Sequence, residues 1–285
     1  MPQQSPDDSN ESLVEKLCHD KYITHPLVKS AFLAVDRGQY APRDAYKDSP
    51  QLLSHQSSIS SPNMHARAAE SLLPYLLPKT DPKLEPAECI DTIIGVNGRP
   101  RRVLDIGSGS GFLVHILAKL AGETSLVVGV EHIEDLRKLG ETNMRKSADG
   151  ADLVNSGRVR FRFGDGRHGW FEPEPELKSS AAESESTTET VLNKEEGAGA
   201  GGGGWDAIHV GACAFKLHDE LIRQLRCPGR LFIPVAEEEN NCYSGQYIWT
   251  VDKDEKGKVT KTKHYSTRYV WLMDAPRGAK GGPSE

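Results

Sequence analysis

No stretch of the 285-residue chain approaches about eighteen consecutive apolar side chains, so no segment reads as a membrane-crossing helix. Cys-x-x-Cys spacing is also missing. The five cysteines, Cys18, Cys89, Cys213, Cys227 and Cys242, stand far apart, which removes zinc-ribbon and dithiol-redox readings and leaves reduced thiols as the expectation. No His-Glu-x-x-His or comparable ligand spacing occurs among the ten histidines, so no metal is expected. The opening segment, MPQQSPDDSNES, lacks the basic and apolar regions of a signal peptide and the Arg richness of a transit peptide, and a cytoplasmic location is expected. A basic surplus is absent too. Residues 172 to 204 hold eight Glu against two Lys, which accounts for the whole formal net charge of −6. The rest of the chain is balanced, so there is no basic footprint for nucleic acid. Neither nucleic acid nor membrane is expected as a partner.

What is present is enough apolar material for one sizeable core, at 37% of residues and a mean hydropathy of −0.53. Two helices are expected before residue 42. The first places Leu13 and Leu17 on one face, with Ser12 or Asn10 as its cap. The second opens at Pro26, buries Leu27, Ala31 and Val35, and ends by Gly38 and Pro42. Residues 42–63 read as loop, and 64–77 as an apolar helical stripe interrupted at Pro74. From Arg101 onward strands and helices alternate. RRVLDIG, SLVVGVE, RVRFRFG, WDAIHVGA and GRLFIPV read as strands. FLVHILAKLAG, DLRKLGETNMRKSA and LHDELIRQLRC read as helices. A hairpin turning at Glu255–Gly257 and a closing strand TRYVWLM follow. This alternation predicts an α/β fold with a mostly parallel, doubly wound sheet and N-terminal helices. A single domain is expected over 11–275, between a flexible N-terminus (1–10) and a flexible tail (276–285). It carries two interruptions: a Pro-rich insertion at 78–100, and an acidic, then Gly-rich, disordered insertion at 172–204.

The segment Val103-Leu104-Asp105-Ile106-Gly107-Ser108-Gly109-Ser110-Gly111-Phe112 lies between a buried strand and a helix, where doubly wound sheets bind ligands. A dinucleotide fingerprint fails, because its third glycine would fall at Phe112. The spacing is Asp-x-Gly-x-Gly-x-Gly. An acidic residue two before the first glycine gains nothing from a pyrophosphate but suits a cation. Asp105 is therefore assigned to the α-ammonium of S-adenosyl-L-methionine, directly or through water. Glu131, ending the next strand, is assigned to the ribose hydroxyls. Asp165, in Gly164-Asp165-Gly166 at the third strand end, is assigned to the adenine amino group. Three acidic positions at three successive strand ends predict a Rossmann-like class I methyltransferase.

Further segments carry a more specific resemblance. They are Val35-Asp36-Arg37 with Tyr40, Asp48-Ser49-Pro50-Gln51, the loop Gln56 to Ala66, Ser156-Gly157-Arg158-Val159, Gly164-Asp165-Gly166-Arg167, Trp205 to Ala212, and Gly229-Arg230-Leu231. Together with the glycine loop, they resemble the protein-L-isoaspartate (D-aspartate) O-methyltransferases from about Leu13 to Leu272, apart from residues 78–100 and 172–204 and the hairpin around Glu255–Gly257. The resemblance implies methyl transfer from S-adenosyl-L-methionine to the free carboxyl of L-isoaspartyl and D-aspartyl residues in damaged proteins and peptides, which begins their repair. It implies Ser60 as the catalytic residue and backbone contacts from Ser57, Ser58 and Ile59. It also implies cofactor binding by Ser60, His65, Asp105, Gly107, Ser108, Gly109, Gly111, Glu131, His132, Asp165 and Gly166. A monomer is expected. His209, mid-strand in an apolar run, reads as a satisfied buried histidine, and Tyr269 and Trp271 as sheet packing. Two rivals stay open: a class I methyltransferase acting on another substrate, and a non-catalytic adaptor of the same fold.

Overall fold

The structure, a computed structural model, describes residues 9–77, 99–172, 203–239, 241 and 244–272. The expected insertions at 78–100 and 172–204 fall almost wholly outside the described residues, as do 1–8 and 273–285.

Helix α1 (Asn10–His19) is capped by Ser9, not by Ser12 or Asn10. Ser9 and Ser12 exchange side-chain bonds with each other's backbone N–H, a reciprocal cap. Helix α2 (Pro26–Ala34) has Pro at its first turn and buries Val28, Ala31 and Phe32; Leu27 is only partly buried. A short antiparallel pair, β1 (Gln51–Leu52) and β2 (Ser58–Ile59), stands where only loop was expected. Helix α3 (Pro62–Leu76) runs through Pro74, which sits in its last turn.

The alternating region gives β3 (Arg102–Ile106), α4 (Phe112–Ala121), β4 (Leu126–Glu131), α5 (Glu134–Met144), α6 (Ala148–Asn155), β5 (Val159–Phe163), β6 (Trp205–Val210), α7 (Asp219–Arg223), β7 (Leu225–Ala236), β8 (Gln246–Lys253) and β9 (Val259–Thr267). Three expectations are corrected. The single helix over 135–148 is two, because Ser147 accepts the Gly150 N–H and caps a new helix. The helix LHDELIRQLRC stops at Arg223, because Leu225 pairs with Trp205 and Pro228 cannot continue a helix. The segment after Thr267 is no strand. It is tied back by Leu272 N–H to Cys213 O (2.8 Å) and by Trp271 stacking on Phe215, with centroids 4.8 Å apart.

The sheet order is β5-β4-β3-β6-β7-β8-β9. β5 through β7 are parallel neighbours, and β8 and β9 add antiparallel strands at one edge. β3, β4 and β6 are buried along their whole length, as strands covered on both faces must be. Alternation sends Val103, Val127, Ala207 and Phe232 to the core shared with α1–α4. It sends Leu104, Ile106, Val128, Ile208 and Val210 to the opposite core. β9 is exposed from Val259 to Ser266 and carries Lys261 and Lys263, charges that discourage pairing by a further strand.

Glu172, expected to open the acidic insertion, is instead built into the fold. Its carboxylate accepts hydrogen bonds from Arg160 (2.6 Å), Arg162 (2.7 Å) and the Trp170 indole (2.8 Å). Burial alone would raise its pKa, but the two guanidinium groups and the indole N–H hold the carboxyl down to about 2. A folded-state value below the unfolded one gives stability that is complete above the unfolded pKa of roughly 4.3 and is lost as pH falls toward the folded value. Glu172→Gln is expected to lower the melting temperature at neutral pH, with the gap to wild type closing in acid. Melting curves with the same gap at pH 7 and in strong acid would contradict this.

Candidate active site

The chain leaves β3 for β4 and β5 on one side, then returns to β6 on the other. The crevice outside the carboxyl ends of β3 and β6 is thus the topological switch point, where open α/β sheets bind ligands. The loop from β3 into α4 fills its floor. Gly107, Gly109 and Gly111 all have positive φ (+78°, +47° and +84°). A side chain at Gly111 would also meet the Gly140 carbonyl at 2.7 Å, so glycine is required there on two counts.

One cavity gathers Ser58, Ile59, Ser60, His65, Asp105, Gly107, Ser108 and Gly109 with Ser110, Leu113, His209 and Gly211. Eight of the residues expected from the sequence therefore line one space. Asp105 pairs in register with His209 of β6, and the two side chains meet at Oδ1···Nδ1 2.6 Å. Asp105 is 2% exposed, and His209 occupies one of its two oxygens. His209 is also not the fully satisfied core residue it was expected to be. Its Nε2 and the Ser108 hydroxyl are buried with no hydrogen-bond partner among the described residues.

Glu131 ends β4 beside this cavity, 4% exposed. Its carboxylate accepts the N–H groups of Gly109 (3.0 Å), His132 (2.9 Å) and Ile133 (3.2 Å). Burial raises its pKa, opposed by His132 and these three N–H donors. His132 lies next along the chain, with Nδ1 3.5 Å from Glu131. Asp165 follows β5 and caps the turn Gly166–His168. It is engaged by Arg167 (2.6 Å), which holds its carboxyl below the usual range. Gly166 packs against Ile106, where a side chain would collide. Glu131, Asp165, Gly166, His132, Ser57 and Gly111 do not line the cavity itself.

The roof is the loop from β2 into α3. Ser57 is half-buried in the turn joining β1 to β2, where its N–H donates to the Ser54 carbonyl (2.8 Å). Asp48 accepts the backbone and side-chain N–H groups of Asn63 (2.9 and 2.8 Å), closing the loop from below. Arg37, quoted in the sequence only as part of a motif, holds the loop from within. Its guanidinium donates to the Ser60 carbonyl (2.8 Å) and contacts His65 Nδ1 (3.3 Å). It is fully buried over the Phe112 ring, and burial pushes its pKa down to about 9, still charged at neutral pH. A guanidinium only donates, so His65 Nδ1 is the acceptor and its proton sits on Nε2. Burial, then the charge of Arg37, keeps the His65 ring well below its ordinary pKa and hence uncharged. Arg37→Met is expected to lower both the melting temperature and turnover. Each acceptor left without its donor costs about 1–3 kcal/mol. Unchanged thermal melting and kinetics would show that Arg37 is not what holds the roof.

The Tyr40 hydroxyl bonds His115 Nδ1 (2.6 Å), and His115 Nε2 bonds Asp149 (2.9 Å). This chain, buried at Tyr40 and His115 and exposed at Asp149, ties the N-terminal segment to α4 and α6. Among the described residues no group of three or more His, Cys, Asp or Glu could hold a metal, and no helix is long and apolar enough to cross a membrane.

The site therefore combines a glycine cradle, two orphaned buried polar atoms and a strand-end carboxylate. On the facing side are hydroxyls and an imidazole N–H. That donor and acceptor set fits a ligand bearing an amino-acid portion and ribose hydroxyls. A family model described as Protein-L-isoaspartate(D-aspartate) O-methyltransferase (PCMT) matches residues 8–85, 87–185 and 197–277. The chain is 31% identical over 274 residues to the Arabidopsis thaliana Protein-L-isoaspartate O-methyltransferase 1, covering 95% of this chain and 94% of that protein. It is 29% identical over 245 residues to the Caenorhabditis elegans Protein-L-isoaspartate O-methyltransferase, covering 86% of this chain and 84% of that one. A solved Plasmodium falciparum structure under the same enzyme name, in complex with S-adenosyl-L-homocysteine, superposes with a TM-score of 0.67. It is 25% identical and covers 93% of this chain and 98% of its own.

Proposed function

The chain belongs to the protein-L-isoaspartate(D-aspartate) O-methyltransferase family, and from that premise we propose that it methylates the free carboxyl of L-isoaspartyl and D-aspartyl residues in damaged proteins, using S-adenosyl-L-methionine and so initiating their repair. The observation that supports this best is the meeting of the glycine loop after β3 with the Ser58–His65 segment over one crevice.

When bound, S-adenosyl-L-methionine would supply a sulfonium methyl carbon open to attack by a carboxylate oxygen: the O–C bond forms as the C–S bond breaks, giving a methyl ester and the thioether S-adenosyl-L-homocysteine as leaving group. A carboxylate is already a nucleophile at neutral pH, so no strong general base is needed. The chain has to place it and keep water out. Ser60 is assigned to hold the substrate carboxylate through its hydroxyl, on a loop whose backbone Arg37 anchors. His65, uncharged and carrying its proton on Nε2, offers a donor without competing as a nucleophile at Nδ1, which faces Arg37. Glu131 accepts from the ribose hydroxyls, held in place by three backbone N–H groups. Gly107, Ser108, Gly109 and Gly111 let the backbone approach the ligand closely. Ser57, Ser58, Ile59, His132 and Gly166 complete the cofactor surroundings. For Asp165 to reach an adenine amino group, its side chain shares itself with Arg167.

Two synthetic peptides identical except for one isoaspartyl or aspartyl residue test the reading. With methyl-labelled cofactor, label is expected in the isoaspartyl peptide alone. Label in both peptides equally, or in neither, would refute it.

A further inference from the structure

Asp105-Ile106-Gly107 and His209-Val210-Gly211 end adjacent parallel strands in matched register. Both side chains therefore point to the same face, two residues before a glycine that lines the cavity. His209 is 3% exposed, stacks on Phe232 with centroids 5.8 Å apart, and faces the Asp105 carboxylate with Nδ1. A carboxylate accepts, so Nδ1 is the donor of this pair, and in that tautomer Nε2 presents a lone pair. That Nε2 is the buried atom without a partner among the described residues. An orphaned buried acceptor is costly unless a ligand or ordered water completes it. Asp105 polarises the imidazole from behind and so strengthens that acceptor.

We infer that His209 is a cofactor-binding residue: its Nε2 accepts a hydrogen bond from the α-ammonium of S-adenosyl-L-methionine. Asp105 is then a positioning residue that acts through the imidazole instead of meeting the ammonium itself. The inference rests on the cofactor reading above and adds a residue to it.

His209→Asn tests it, because the shorter amide can still reach Asp105 but leaves nothing at the Nε2 position. Calorimetry is run with S-adenosyl-L-homocysteine and with the analogue in which the α-amino group is replaced by hydrogen. Affinity for S-adenosyl-L-homocysteine is expected to fall about tenfold to a hundredfold, as for loss of a bond to a charged group. Affinity for the desamino analogue should stay at its wild-type value. An equal loss for both ligands, or no loss for either, overturns the inference. A second measurement uses the wild-type protein, so it stands even if the variant does not fold. The nitrogen-15 resonance of His209 Nε2 is expected to move on adding S-adenosyl-L-homocysteine and not on adding the desamino analogue. A resonance that moves with both or with neither overturns the assignment, provided S-adenosyl-L-homocysteine binds. If wild type binds neither ligand, it is the cofactor reading itself that has failed, and the His209 assignment falls with it.

Discussion

Replacing Ser60 by alanine is expected to lower turnover on an isoaspartyl peptide roughly a hundredfold to a thousandfold while leaving cofactor affinity nearly unchanged. The guide is the loss of one preorganised donor to a developing transition state, which costs on the order of 2.7–4 kcal/mol. The Ser60 backbone explains why the loss falls on turnover. Its carbonyl is held by Arg37, so the loop keeps its position when only the hydroxyl is removed. Any backbone N–H of the same loop that also reaches the substrate carboxylate would move the effect toward the lower end of the range. Steady-state kinetics with binding measured separately decide it. Turnover near wild type removes Ser60 from catalysis, and a matching fall in cofactor affinity moves it to cofactor binding.

Glu131→Ala is expected to weaken S-adenosyl-L-homocysteine binding by about 1.5–3 kcal/mol, or roughly tenfold to 150-fold, because a charged acceptor for the ribose hydroxyls is lost and water replaces it only in part. A structural cost comes with it. The N–H groups of Gly109, His132 and Ile133 lose their common acceptor, so the melting temperature should fall too. Glu131→Gln keeps a carbonyl oxygen and should lie between wild type and alanine in both measurements. Calorimetry showing unchanged affinity in the alanine variant would remove Glu131 from the ribose assignment, whatever the melting curve does.

The strand–glycine–helix passage around Asp105 was legible because its signals are local: an apolar run, three glycines at a fixed spacing, then a helical stripe. β4, β5 and β6 were legible for the same reason. What remained hidden depends on contacts between distant segments. Strand order is one case. Nothing near His209 in the chain says that β6 lies beside β3, so its pairing with Asp105 was out of reach. The matched spacing of Asp105 and His209 to their following glycines was the one available clue. Arg37 is another case: a charged residue in an amphipathic segment reads as solvated until the fold buries it beside Ser60, His65 and Phe112. Glu172 was grouped with the acidic run that follows it, because Arg160 and Arg162 reach it only once β5 has formed. The split between α5 and α6 is marked locally, since Ser147 is a good cap in the middle of a polar stretch.

Methylation by this chain sets isoaspartyl sites on the way back to aspartyl ones. A methyl ester has a far better leaving group than a free carboxylate, so the following backbone nitrogen can close a succinimide on it, and water reopens that ring to either linkage. The most direct measurement is to incubate a purified isoaspartyl peptide with the protein and S-adenosyl-L-methionine and to follow both peptide forms by chromatography. The isoaspartyl form is expected to decline over repeated cycles as its aspartyl twin accumulates, with neither change when the cofactor is omitted. An isoaspartyl peptide that persists unmethylated in the presence of bound cofactor would contradict the account.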